Sequence, residues 1–384
     1  MLKNNKTLAV LLTVPFFLTA CGTFFDKDNT PAPTPLTVYK PEVVPTVLWS
    51  AKVGKGATGK DYLKMSPVVS GSSIYTTSTN GTITSLNNMT GRKNWQVDFG
   101  AKLSSGPGAG EGVVVVGSRD GLIVALNESN GCQRWRASIP GEIIASPAVG
   151  NGLVIVKATD GSTRAYSIDN GSLVWSYHQQ EPNLILRGSS APIIHRQDVI
   201  IGYASGNLAK LGVNDGQLLW QEPVADAQGA FAIQRMIDID ADPIVFDYRI
   251  YVVTYQGRIS ALDFGSGRTV WTHDISSYTG MTADNSNVYL TDATGYVWAY
   301  NTENGNINWR QHMLKYRIIS APALLGNYVV MGDAEGYLHW LNKSDGHLAG
   351  RASLGSAIYA NPVVENNVLY ALSNSGYLAA YTLR

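Results

Sequence analysis

The sequence predicts an all-β fold: an eight-bladed β-propeller of four-stranded antiparallel blades, the last closed by the N-terminal strand around Trp49. Three observations carry this reading. Glycines at 81, 121, 161, 206, 257, 295 and 336 are each followed ten residues later by another, at 91, 131, 171, 216, 267, 305 and 346. Six of the second glycines have a tryptophan four residues on, at Trp95, Trp135, Trp175, Trp220, Trp271 and Trp309, and the seventh has Gly350 there. An eighth first glycine, Gly376, opens Tyr377-Leu378-Ala379-Ala380-Tyr381, while Val47-Leu48-Trp49-Ser50 reads as a tryptophan strand with no turn before it. A repeat of about 40 residues is a stacked or closed architecture, and pairing the two ends in one sheet removes the open edge.

Within a repeat the elements follow in order. A proline lead-in such as Ser66-Pro67, Ser146-Pro147 or Ala321-Pro322 precedes a first strand, and an apolar run such as Val113 to Val116 makes the second. Turns such as Asp120-Gly121 and Asn130-Gly131 supply the positive φ of tight hairpins and bracket the third strand. Five residues after the first glycine the side chain is large (Leu86, Leu126, Tyr166, Leu211, Leu262, Tyr300, Leu341, Tyr381). One residue earlier it is small, except at Lys210 and Trp340. The tryptophan strand is the fourth, and four strands per repeat make a propeller blade.

Ahead of the repeats, residues 1–20 read as a signal peptide: Lys3 and Lys6, an apolar core from Leu8 to Phe17, then Leu18-Thr19-Ala20-Cys21. The apolar run is too short for a permanent membrane span. This order resembles a bacterial lipoprotein signal, which implies that Cys21 carries lipid and, with Gly22 after it, that the chain goes to the outer membrane. Residues 21–46, with Pro31, Pro33, Pro35, Pro41 and Pro45, are expected to be a tether that cannot fold alone, and residues 47–384 the propeller. Cys132 is the other cysteine, so no internal disulfide is expected, and it reads as a small packing residue. The chain balances 29 basic against 29 acidic residues, which provides no global field for nucleic acid.

Two stretches break the repeat, and in repeat proteins departures mark function. The first is Glu181 to Ser190, with Leu184, Leu186 and Arg187; the second is Gln221 to Asp242, with Asp238 and Asp240. They fall at equivalent places in successive blades and are expected on one rim. An apolar pair beside an arginine suits a protein partner, and Arg187 can pair with Asp238 or Asp240; burial of both leucines is the competing reading.

The lipobox, the eight repeats, Leu184 to Pro192 and Asp238-Ile239-Asp240 together resemble the BamB family, the propeller lipoproteins of the outer-membrane β-barrel assembly (BAM) machinery. The resemblance covers nearly the whole chain. It implies a non-enzymatic scaffold that docks on the periplasmic domains of the core subunit BamA through Leu184, Leu186, Arg187, Asp238 and Asp240. A further expectation, resting on strand-rich architecture alone, is capture of unfolded outer-membrane proteins by β-augmentation.

Other functions find less support. The repeats also resemble those of pyrroloquinoline-quinone dehydrogenases, but the adjacent cysteines and extra domains usual there are missing. A generic envelope-binding propeller remains the other alternative. Gly54-Lys55-Gly56-Ala57-Thr58-Gly59 lacks a following amphipathic helix, and Asp238-x-Asp240-x-Asp242 has Pro243 where a calcium loop needs glycine. The six histidines show no metal-binding spacing, so neither a metal nor a cofactor is expected.

Overall fold

The computed structural model describes residues 31–54, 64–186 and 188–383. The signal segment, Cys21, residues 55–59 of the glycine-rich loop and Arg187 lie outside these. Pro33–Arg384 forms one compact unit. It contains eight four-stranded antiparallel sheets, each built from strands consecutive in the chain save one. Blades 1 to 7 occupy residues 68–98, 108–138, 148–178, 193–223, 244–275, 280–311 and 323–353. Blade 8 pairs three C-terminal strands with Pro45–Lys52, which runs antiparallel to Tyr377–Leu383 with Pro45 opposite Leu383 and Lys52 opposite Tyr377.

The repeat has a packing cause. A second strand such as Val113–Gly117 is buried throughout, whereas a fourth strand such as Gln133–Ser138 buries its tryptophan and exposes both flanks. That tryptophan lies flat on the second-turn glycine of the next blade. At Gly171, with φ +71°, a Cβ would fall 2.6 Å from the Trp135 ring. The indole then donates to the carbonyl three residues before the glycine, as from Trp135 Nε1 to Ile168 O (2.8 Å) and Trp175 Nε1 to Val213 O (2.7 Å). Trp49 does the same from blade 8 to blade 1, bonding Asn88 O at 2.9 Å across Gly91. Each glycine–tryptophan pair therefore joins two blades, and the ten-residue spacing of the glycines sets the length of the strand between.

The two exceptions in the third strand now have reasons. Lys210 reaches over the Phe264 ring (4.0 Å), pairs with Asp198 (2.8 Å) and donates to Phe264 O. That carbonyl is the one Trp220 would have used, and Trp220 Nε1 is left without a partner among the described residues. In blade 7 the bulk has crossed the strand pair. Trp340 faces Gly350, is fully buried and meets Tyr381 edge-on at 6.0 Å. A tryptophan at 350 would have no seat, because the third and fourth strands of blade 8 come from opposite ends of the chain and share no turn. Val43 occupies the space instead, with its Cγ2 2.9 Å from where a Gly350 Cβ would lie.

Two expectations need correction. The tether does not run free to Thr46: from Thr34 onward the chain docks on blade 7, held through backbone groups that composition does not reveal. Cys132 is exposed rather than packed, because it stands directly after the Asn130-Gly131 turn on the outside of the blade.

Candidate functional site

The two departures from the repeat connect outer to inner strands, one between blades 3 and 4 and the other between blades 4 and 5, and they meet. The second stretch alternates Ile237, Ile239 and Ala241 with Asp238, Asp240 and Asp242. The apolar set is buried against the blades, Ile239 so tightly that a Cβ on Gly202 would fall 2.4 Å from its Cγ2. The carboxylates hold the first stretch. Asp238 Oδ1 accepts the Leu186 amide (2.9 Å) and Asp242 Oδ1 the Ala191 amide (2.6 Å). The Asp240 carboxyl lies against Gly188, where a Cβ would come within 2.5 Å of Cγ.

Asp238 and Asp240 are thus buried, at 1% and 3% exposure, and serve as anchors of the loop rather than as its presented surface. Leu186 turns inward and lines a cavity; Leu184 is 45% exposed. The arrangement divides the apolar pair between the two readings the sequence left open. Three charged residues join the island without any signal in the sequence pattern. Buried Lys157 donates to Gly202 O and lies over the Tyr203 ring at 5.2 Å. Lys64 donates to Asp240 O (3.0 Å) and to Tyr278 O, and Glu181 accepts the Ala204 and Ser205 amides.

Burial dominates the electrostatics. It pushes both lysines below the usual lysine range, partly offset by the surrounding carboxylates. Asp238 is pushed up to about 7, first by burial and then by Asp240, and its Oδ2 has no hydrogen-bond partner among the described residues. A carboxyl raised above its unfolded value of about 3.9 contributes stability that is complete below that pH and is lost as pH climbs through about 7. Asp238→Asn keeps an acceptor for Leu186 and cannot ionise. The variant's melting temperature should therefore gain on the wild type as pH goes from 4 to 8; a difference between the two that does not change over that range would refute the assignment.

Beyond this bolted base the second loop projects a tip. A 3-10 turn, Ala232–Arg235, is pinned by Gln234 Oε1, which accepts the Ala230 and Phe231 amides (3.0 and 3.1 Å). Arg235 donates inward to Gly229 O and Ala230 O, so its guanidinium is spent within the tip. Phe231 and Ile233 are left 68% and 61% exposed. Sequence reasoning included this segment without singling out either residue, although an aromatic and an isoleucine in a glycine-flanked polar insertion were a signal.

The cavity that Leu186 lines has a volume of about 660 Å³ and draws its walls mainly from the connections that lead into seven of the eight blades, which places it on the ring axis. This is where a propeller dehydrogenase would keep its quinone. The lining offers Asp240 and Asp242 against Lys64, a poor match for a tricarboxylate, and Cys132 lies far out on a turn. Among the described residues no group of three or more histidine, cysteine, aspartate or glutamate side chains could hold a metal ion. The residues present do not fit a quinone with calcium.

A family model described as outer membrane protein assembly factor BamB matches residues 79–311. A Legionella pneumophila (strain Paris) protein of that name is 42% identical over 376 residues, spanning 97% of this chain and 98% of its own length. The crystal structure of BamB from Moraxella catarrhalis superposes with a TM-score of 0.80 at 29% identity, covering 88% of this chain and 99% of that one. Quinohemoprotein alcohol dehydrogenase from Comamonas testosteroni shares the fold alone, at TM-score 0.69 and 13% identity over 88% of this chain and 76% of its own.

Proposed function

The chain belongs to the BamB family of outer membrane protein assembly factors, and on that premise we propose that it is a scaffold without chemistry of its own, docking by its loop-rich rim on BamA. It would be held to the outer membrane by lipid on Cys21 and would face the periplasm. The observation that carries the docking reading is the contrast within the rim. The carboxylates of Asp238, which is buried, and Asp242 fix the two loops to each other, while Leu184, Phe231 and Ile233 stay exposed at their tips. Apolar anchors on a preorganised base lose little entropy on binding, which is the condition for a hot spot. Arg187 stands between these features in the sequence and would supply the charged contact. By raising the local concentration of machinery parts, such a scaffold assists assembly without a catalytic step.

The test is affinity copurification of the full-length protein from detergent-solubilised membranes, beside a Leu184→Ser, Leu186→Ser, Arg187→Glu variant shown to be folded by circular dichroism. BamA should accompany the wild type, and the variant should bind it weaker by about 2 kcal/mol or more, about thirtyfold. Equal recovery with both proteins would remove the rim from the interface. Absence of BamA from both would leave the family assignment and discard the partner.

A further inference from the structure

Between the repeats and Cys21 the chain makes a set of contacts that a solvated linker would not. Thr34 donates its amide and hydroxyl to Lys315 O, at 3.0 and 2.8 Å, and its carbonyl accepts Arg317 Nη1 at 2.8 Å. Arg351 donates to Thr37 O and lies over the Tyr39 ring at 5.0 Å. Glu42 and Val43 both give their amides to Ala349 O, and Glu42 Oε1 meets His347 Nε2 at 2.6 Å. Arg317, the chief clamp, is almost fully buried on Asp333 and Glu335. Strand order puts Lys315 on the face that carries the loop-rich rim and His347 on the opposite face, so the segment straps blade 7 from one face to the other.

We propose that this strap, Thr34 to Val43, bound in a built site on blade 7, sets the attitude of the propeller at the membrane by holding the side of blades 6 and 7 toward the anchor. The inference rests on the lipid anchor at Cys21 proposed above. With the strap docked, only Gly22 to Pro33 remain between lipid and ring, a reach of at most about 40 Å. Without it the tether would run on to the strand that begins at Pro45 and nearly double. The clamp point, on the connection from blade 6 to blade 7, lies two to three blades round the ring from the connections on either side of blade 4 that carry the exposed loops. The strap therefore makes the tether leave the ring on the same face as the rim but on another part of the ring.

Energy transfer on the intact, lipidated protein in vesicles with a headgroup acceptor tests this. In a Cys132→Ser background, a donor goes on Thr294→Cys in the first turn of blade 6 or on Asp120→Cys in the first turn of blade 2. Both are exposed, on one face and four blades apart. Transfer from position 294 should exceed that from 120 at least twofold, and the difference should vanish when residues 34–43 are replaced by a glycine-serine stretch of equal length. Arg351→Ala, which leaves the Arg317–Asp333 pair in place, should reduce it. Equal transfer from both positions in the anchored wild type, or an inequality that survives strap replacement, overturns the proposal. Flotation of each sample reads the anchor separately: protein that does not float with vesicles defeats the anchor reading and this one with it, whereas floating protein with equal transfer defeats only this one.

Discussion

Trp135→Ala should destabilise the propeller by about 3–5 kcal/mol, the range for truncating a buried tryptophan. Its ring is 6% exposed, fills the hydrophobic cluster shared by blades 2 and 3, and stacks near Tyr166 at 6.4 Å. Removing it also orphans the bond to Ile168 O and uncovers the Gly171 turn, where the glycine exists because no Cβ fits under the indole. Gly171→Ala attacks the same joint from the other side and adds strain at positive φ. Urea unfolding followed by far-ultraviolet circular dichroism measures both. A change under about 1 kcal/mol in either variant would mean that the glycine–tryptophan pair is not what joins the blades.

Arg317→Ala should have a loss of similar size, about 3–5 kcal/mol, because it strands a buried carboxylate. Asp333 has no exposure and its Oδ2 receives both Arg317 Nε and His339 Nε2 at 2.8 Å. Burial alone would raise the Asp333 carboxyl, but His339, the Tyr337 amide and Arg317 together hold it below the usual range. His339 itself is kept below its ordinary value by burial, against the pull of Asp333. A carboxyl held below its unfolded value contributes stability above about pH 4 that disappears on further acidification. The gap between wild type and variant in urea should accordingly be full at neutral pH and narrow as pH falls below 4. An alanine variant as stable as wild type at pH 7 would show that the cluster is not a clamp.

Much of this fold was legible because its joints are made of the two residues that are hardest to replace, a glycine that must lack a Cβ and a tryptophan that must cover it. Strand number, blade number and the closing role of Trp49 follow from that one contact. Gly350 and Trp340 resisted reading because their explanation is topological: blade 8 alone has no turn between its third and fourth strands. The loops were legible as departures from the period, and their partnership across blades 3 to 5 followed from equivalent position. The disposition of their side chains was not. An alternation of isoleucine and aspartate suggests one row in and one row out, whereas here Asp238 and Asp240 are buried as well, the isoleucines against the blades and these carboxylates against a second loop. The strap was hidden for a different reason, since a proline- and threonine-rich stretch gives no hydrophobic pattern and is held chiefly by its own backbone carbonyls and amides.

The central claim is that the rim formed by the two loops is the surface that meets BamA, and site-specific photocrosslinking in living cells tests it most directly. A photoreactive residue at Leu184 or Phe231 should crosslink BamA, while one at Met89, more exposed than Leu184 but on the second turn of blade 1 at the opposite face, should not. Crosslinking from Met89 with none from Leu184 or Phe231 would contradict the account and move the interface to the other face of the ring.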